Sequence, residues 1–352
     1  MAYLTIENIQ LSAIAACVPK NRESNAHYDW ISEKERDLLI KTTGIEYRRI
    51  APKQITTSDM CFASAEALIN ELNIDRKEIE VVIFVSQSPD FFLPATSIIL
   101  QDKLQLSKTT MAFDIQLGCS GYVYGLSVIS SLMNNGKFKK GLLLVGDKSS
   151  FSPSKKDKST YPIFGDAGTA TLLEYDPFAQ KMDFNLQSDG SGYKAIIIPD
   201  GGMRNPYSDE SDKMIETSPG IIRNRKNLML DGIEVFNFSL REAAPNIFNL
   251  LKYNKTEINE YDFFVFHQAN KLMNESIRKK LKVEPDKVPY SLQKYGNTSS
   301  ASIPLTIVTE LADKLKNSKA EVILSAFGVG LSWASAALTL NKLKCLPLIE
   351  IE

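Results

Sequence analysis

The stretch MAFDIQLGCSGYVYGLSVISSLM, Met111 to Met133, decides how this chain folds. Its front half, Met111 to Leu117, alternates as a strand does. Its back half, Gly121 to Met133, is apolar nearly all round, the mark of a helix buried within a large domain. Gly118-Cys119-Ser120-Gly121 lies between them as a tight turn with glycine on both sides of a cysteine. Such a strand-to-helix elbow lifts a side chain out of the packed layers and sets it at a helix N-terminus. The unpaired N–H groups and the helix dipole there favour a thiolate, the nucleophilic form of cysteine. A small hydrophobe packed in a turn is the other reading of a lone cysteine. The rest of the chain has to choose between them.

Working outward, strands alternate with helices on both sides of the elbow, which means an α/β architecture. Leu4 to Val18 reads as one strand ending at Pro19. A helix is expected near Ser32 to Thr42, and another over Thr57 to Leu72 with Ser58 as N-cap. Val81-Val82-Ile83-Phe84-Val85 is a continuous apolar run, as in a strand covered on both faces. A helix near Ala95 to Leu104 precedes the elbow, and Gly141 to Gly146 is a second buried strand. Phe164 to Thr171 (FGDAGTAT) turns into a further strand.

The second half repeats this order. Phe263 to Gln268 (FFVFHQ) has the character of Ile83 to Ser88, and Glu321 to Gly330 (EVILSAFGVG) that of Gly141 to Ser150. Val288 to Leu305 (VPYSLQKYGNTSSASIPL) pairs with the cysteine elbow and places Asn297 near the position of Cys119. A repeat at so long a period points to a duplicated domain with pseudo-twofold symmetry. The halves are residues 1–175 and 176–352, the second interrupted by a polar, Gly/Pro-rich surface insertion at about 199–227. His267 closes a buried strand, and Asn297 lies at a helix start. Open α/β sheets assemble their sites at such strand ends. Cys119, His267 and Asn297 thus fall on equivalent edges and suit a thiol nucleophile with two hydrogen-bond donors.

Composition narrows the function. The 352 residues are 43% hydrophobic and 24% charged with a formal net charge of −1, so the basic surplus of a nucleic-acid binder is missing. The apolar runs are too short for a membrane span, and no signal-peptide pattern opens the chain. Cys17, Cys61, Cys119 and Cys345 form no CxxC pair, so free thiols in the cytoplasm are expected and a zinc site is not.

GCSGYVYGL, VFHQAN and GNTSSASIP, together with TGIEYRR and FGDAGTA, resemble the beta-ketoacyl-acyl-carrier-protein synthase III family of the thiolase superfamily, from Leu4 to about Leu340. The resemblance implies a thiolase-like five-layered αβαβα sandwich and a homodimer. It implies that Cys119 carries the acyl group, that the backbone N–H groups of Cys119 and Val329 hold the oxyanion, and that His267 and Asn297 stabilise the enolate left when a malonyl thioester loses carbon dioxide. Acyl-coenzyme A or an acyl carrier protein would supply the acyl group and malonyl-carrier the extender. Neither a metal nor a redox cofactor is implied. Carrier docking would fall to Lys279 and Lys280, with Arg278, on a helix starting after His267.

Departures from the family pattern point to a specialised member. Leu38 and Thr42 stand where a tryptophan and an arginine often grip the adenine of coenzyme A. Leu93 stands where an aromatic residue often limits the acyl pocket, and Leu272 replaces a docking arginine. FGDAGT replaces FGDGAG, and Val329 interrupts a glycine run. The alternatives are an acyltransferase of the same fold working without decarboxylation, and a non-catalytic subunit of a heterodimer. A hydroxymethylglutaryl-coenzyme A synthase would need a glutamate acid/base, and Val81 to Leu100 contains none.

Overall fold

The computed structural model describes residues 2–352. In chain order, strands β1 (Ala2–Ile6) and β2 (Ile9–Pro19) precede helices α1 (Glu33–Thr43) and α2 (Thr57–Glu71). Then come β3 (Ile79–Val85), α3 (Thr96–Lys103), β4 (Met111–Ile115), α4 (Gly121–Met133), β5 (Lys140–Lys148) and β6 (Asp166–Tyr175). The second run is β7 (Met182–Ser188), α5 (Gly232–Asn254), β8 (Phe263–Phe266), α6 (Lys271–Leu281), α7 (Ser302–Thr306), β9 (Lys319–Gly328) and β10 (Ser332–Asn341). Short strands β11 (Lys344–Cys345) and β12 (Ile349–Ile351) follow.

One sheet has the order β11-β2-β6-β5-β3-β4, with β12 also on β2; the other has the order β1-β7-β10-β9-β8. Within β2-β6-β5-β3 the pairings run antiparallel, antiparallel, parallel. Within β7-β10-β9-β8 they run in the same sense. The duplication seen in the sequence is therefore a duplication of sheet topology. The termini cross over: β1 pairs with β7 in the second sheet, and β11 and β12 pair with β2 in the first. Leu4 to Val18 is accordingly two strands and not one. Asn8, at φ 66°, makes the left-handed break that sends them to different sheets.

Three apolar clusters define five layers. Between the sheets, Tyr122, Val123, Leu126, Ile129 and Met133 of α4 and Ile303 and Leu305 of α7 pack with residues from both sheets. Outside the first sheet, Ala65 and Leu68 of α2 and Leu100 of α3 meet Val82, Phe84 and Leu144. Outside the second, Phe238 and Ile247 of α5 and Met273 and Ile277 of α6 meet Phe264, Phe266 and Ile323. Complete burial of one such side chain contributes roughly 1.5–3 kcal/mol. Sheets on both sides explain why α4 is apolar all round. At Gly125 a Cβ would lie 2.8 Å from Val85 Cγ2, so glycine lets α4 settle directly on β3.

Local signals were mostly those expected. Ser32 and Glu35 form a capping box at the start of α1. Helix α2 is capped by Thr56, with Asp59 completing the box, and not by Ser58, whose hydroxyl donates to Asp90 instead (2.7 Å). The insertion carries a small hairpin, Ile215–Ser218 with Ile221–Arg223, which bridges to Asp157 through Ile221. An Asp200–Arg225 ion pair (2.8 Å) ties its base.

Candidate active site

Strand β4 and helix α4 place Cys119 at the elbow, half-buried. The loop after β9 covers it. A Cβ at Gly328 would stand 2.7 Å from the Cys119 sulfur, so only glycine lets this loop approach. The Val329 backbone N–H points at the thiol and works to lower its pKa, as does the N–H of Cys119 itself. Burial outweighs them: it pushes the thiol up to about 11, and the negative charge of Asp147 adds to the rise. The helix start and these two N–H groups act against that rise. Desolvation of a charge inside two packed sheets is the larger effect. Cys17 and Cys61 are fully buried in the first half, and burial raises both.

His267 follows β8 and is 1% exposed. Its Nδ1 lies 2.8 Å from Ser302 Oγ, and its ring meets Phe327 edge-on at 5.8 Å. Burial lowers its pKa to about 4, against a smaller opposing contribution from a hydrogen bond to the Ser299 backbone. The imidazole is thus neutral at ordinary pH.

Asn297 is held by its backbone, donating to Ile163 O (2.9 Å) and accepting from Gly165 N–H (3.0 Å) in a bridge beside Phe164. Its Oδ1 accepts the Ser299 N–H at 2.9 Å. The segment around it differs from the cysteine elbow it was matched with. Leu292–Tyr295 is a short helix, a 3-10 turn spans Ser299–Ala301, and α7 begins only at Ser302. Among the described residues the second sheet ends at β8, with no counterpart of β4. Asn297 reaches the site on a loop clamped to the first half.

Ser299 lies beside all three: its N–H donates to Asn297 Oδ1 (2.9 Å), and its presence works to lower the Cys119 thiol and to raise His267. It holds φ 51°, an uncommon left-handed position for a non-glycine residue and of a kind that clusters at functional sites. Neither Ser299 nor Asp147 was singled out from the sequence. The run of hydroxyl residues after Asn297 was the available signal for the first, and nothing local marks the second.

The remaining expected residues lie elsewhere. Leu93 is 86% exposed beside Phe91 (62%) and Phe92 (92%) on the loop before α3. Leu38, Thr42 and Leu272 are exposed along α1 and α6. Lys279 and Lys280 face solvent, with Lys280 Nζ also donating to Leu240 O (2.9 Å). Arg278 does not join them. It bonds Glu275 (2.8 Å) and Val283 O (2.7 Å), which commits it to the helix end. Among the described residues no cluster of candidate metal ligands occurs, and no helix is long and apolar enough to cross a membrane.

A half-buried cysteine at a helix start, with a buried histidine after a strand and a buried asparagine, on a duplicated α/β frame, suits thiol-dependent acyl transfer. Family models for the 3-oxoacyl-[acyl-carrier-protein] synthase III and its C-terminal part match residues 113–190 and 251–340. A putative 3-oxoacyl-[acyl-carrier-protein] synthase 3 of Campylobacter jejuni is 40% identical over 86% of this chain and 84% of its own. A beta-ketoacyl-[acyl-carrier-protein] synthase III of Campylobacter concisus is 32% identical over 93% and 96%. The crystal structure of a 3-oxoacyl-(acyl-carrier protein) synthase from Burkholderia xenovorans superposes with a TM-score of 0.94 at 36% identity, covering 99% of each chain. The chain belongs to the 3-oxoacyl-[acyl-carrier-protein] synthase III family, and its fold is thiolase-like.

Proposed function

We propose that the chain is a condensing enzyme that moves an acyl group from a thioester onto Cys119 and joins it to the carbon of a decarboxylated malonyl-carrier thioester. What supports this reading is Cys119 at the elbow, closely covered by the Gly328 loop, in a chain of the 3-oxoacyl-[acyl-carrier-protein] synthase III family. In the first step the Cys119 sulfur attacks the thioester carbonyl and expels the donor's thiolate. The oxyanion sits against the backbone N–H groups of Cys119 and Val329; one such donor typically contributes about 3–4 kcal/mol. In the second step the malonyl group loses carbon dioxide and becomes an enolate. Its carbon attacks the acyl-cysteine, and collapse of the tetrahedral adduct returns the Cys119 thiolate and releases a 3-oxoacyl thioester.

A neutral imidazole suits the second step. Ser302 Oγ lies 2.8 Å from Nδ1 and accepts the Gln268 N–H (3.3 Å); where its hydroxyl donates to Nδ1, the ring proton is on Nε2. That N–H and the Asn297 amide can both donate to the enolate oxygen. The chemistry asks for no metal or redox cofactor. An acidic acyl carrier protein is the proposed partner, docking at Lys279 and Lys280, and a second copy of this chain completes a homodimer. The exposed Phe91-Phe92-Leu93 loop and the unpaired edge of β4 support that dimer, since such surfaces call for a cover. We place the enzyme in the cytoplasm.

Intact-mass measurement with acyl-coenzyme A and acyl-carrier donors, followed by malonyl-carrier, tests the reading. An acyl adduct on Cys119 that is discharged with release of carbon dioxide supports it. An adduct discharged to an alcohol or amine without carbon dioxide would make it a plain acyltransferase.

A further inference from the structure

The stretch TGIEYRR, Thr43 to Arg49, ends in two arginines that the steps above leave unused. Arg49 has a plain structural task. It donates to the carbonyls of Pro19 (3.0 Å) and Lys20 (3.1 Å) and pairs with Glu350 (2.6 Å), which fastens the end of β2 to β12. Arg48 is different: it is 0% exposed. Antiparallel pairing of Tyr47–Arg49 with Arg22–Ser24 sets Glu23 opposite it, and Nη2 donates to Glu23 Oε2 (3.0 Å) and to the Tyr28 hydroxyl. The same carboxylate oxygen accepts from the hydroxyls of Tyr28 (3.2 Å) and Tyr161 (3.3 Å). The guanidinium lies 4.6 Å from the centre of the Tyr161 ring, while Nε is buried with no hydrogen-bond partner among the described residues. An enclosed cation of this kind stabilises a fold little. Desolvation offsets the pairing, and an apolar side chain of similar volume often does as well. Stability therefore does not account for Arg48.

Its remaining donor does. Arg48 Nη1 donates to Phe164 O at 2.8 Å. Phe164 is the middle residue of the bridge that carries Asn297, whose backbone bonds Ile163 O (2.9 Å) and Gly165 N–H (3.0 Å). In a parallel bridge those flanking groups face the partner, and the carbonyl of the middle residue faces the other way. The segment Ile163 to Gly165 thus has Asn297 along one edge and the guanidinium along the other. The arginine stem reaches the loop as well. A Cβ at Gly296 would stand 3.2 Å from Arg48 Cγ, so the residue just before Asn297 rests against it.

We propose that Arg48 is a positioning residue for Asn297: it fixes the Phe164 carbonyl and thereby the place where the Asn297 amide meets the enolate oxygen. This rests on the functional reading above. Arg48 touches no reacting atom and acts through Phe164 and Gly296. A loop yields more readily than a helix or strand, and misplacing a group by about 1 Å can cost on the order of 100-fold in rate. A buried cation, held in turn by Glu23 and two tyrosines, makes the loop's support rigid.

Arg48→Met tests this, because it keeps much of the stem and removes the donors. Its melting temperature should stay near native. Cys119 acylation by a small acyl thioester should stay within about twofold of native, whereas decarboxylation of a malonyl-carrier thioester should fall about 10- to 100-fold. Arg48→Lys should fall between, since one ammonium cannot serve Phe164 O and Glu23 together. Hydrogen exchange read by mass on the full chain needs no activity. The amides of Gly165 and Asn297 should exchange at least about tenfold faster in Arg48→Met, with α4 as protected as before. Should Arg48→Met fail to fold, the same comparisons on Arg48→Lys decide. Folded variants in which both steps fall together, or in which decarboxylation keeps its native rate, overturn the proposal. Unchanged exchange at Gly165 and Asn297 overturns it too. Native enzyme that acylates Cys119 and releases no carbon dioxide contradicts the condensing reading instead, and the exchange rates then decide on Arg48 alone.

Discussion

The two halves of the molecule repeat a sheet and yet bring their functional residues to the site by different means. In the first half β4, the elbow and α4 are one continuous device, and Cys119 sits where strand becomes helix. In the second half the strand matching β4 is absent, and Asn297 rides a loop fastened to Ile163 and Gly165 of the other half. The nucleophile is thus placed by its own half, and its partner by contact between halves. A rigid element fixes the group that must attack. A loop anchored across the pseudo-twofold makes the enolate site depend on both sheets being in place.

The largest effect expected from this difference is at the elbow. Cys119→Ala should abolish acyl transfer while circular dichroism and the melting temperature stay close to native, because α4 is held by its apolar faces. A covalent acyl-enzyme in that variant would sink the assignment. Next comes Asn297→Ala. Loss of one donor to developing charge typically costs 10²–10³-fold in rate, so malonyl decarboxylation should fall by about that much. Acylation of Cys119 should fall much less, its oxyanion donors being backbone groups. Parallel loss of both steps in stopped acylation and carbon dioxide assays would mean that the loop supports the elbow after all.

What the sequence revealed follows the same division. Periodicity identified α4, β3 and β5, since burial between layers writes continuous apolar runs into the chain. It also showed the duplication, because matched strands keep matched composition. The crossing of the termini was hidden: Leu4 to Val18 holds no proline or glycine to break it, and the left-handed conformation of Asn8 splits it. The thiol's environment was hidden as well. Burial is what raises the thiol, and Asp147 and the Gly328 loop beside it come from 28 and 209 residues away in the chain. Side-chain identity marked Cys119, His267 and Asn297, while Ser299, which donates to Asn297, and the buried Asp147 are ordinary in composition and special only in place.

A smaller effect compares one buried group from each half. His267 stays neutral in the fold down to about pH 4, while in the unfolded chain it gains a proton near its usual value of 6.5. Between those limits the unfolded state holds more protons, so the stability due to neutral His267 is present above pH 6.5 and lost as pH falls toward 4. Asp166 behaves oppositely. Burial raises its pKa from 3.8 to about 6, so its contribution is fully present below 3.8 and lost as pH rises through 6. The two partly cancel in the wild type, each amounting to a few kcal/mol at most. Urea unfolding across this range should show His267→Gln less sensitive to acid than the wild type and Asp166→Asn more sensitive. Identical pH slopes in all three would contradict the placements.

The smallest effect concerns the proposed docking, for which the three cations are held differently. On α6, Arg278 is held by Glu275 and the Val283 carbonyl, so Arg278→Ala should lower the melting temperature and leave carrier KM nearly unchanged. Lys280 shares its Nζ with the Leu240 carbonyl of α5, so its charge is anchored. Lys279 is the exposed cation nearest them. An acidic carrier feels mainly the charges that reach solvent within about a Debye length, some 8–10 Å at moderate salt. Lys279→Glu should therefore raise the apparent KM for carrier-bound substrates several-fold at low ionic strength, with less effect at high salt. Lys280→Glu should add a smaller rise together with some loss of stability. Turnover of small thioester mimics by Lys279→Glu should match the wild type, because α6 begins beside His267 but Lys279 lies two turns farther along. Equal loss on carrier-bound and small substrates would show that the helix supports the site and that the carrier docks elsewhere.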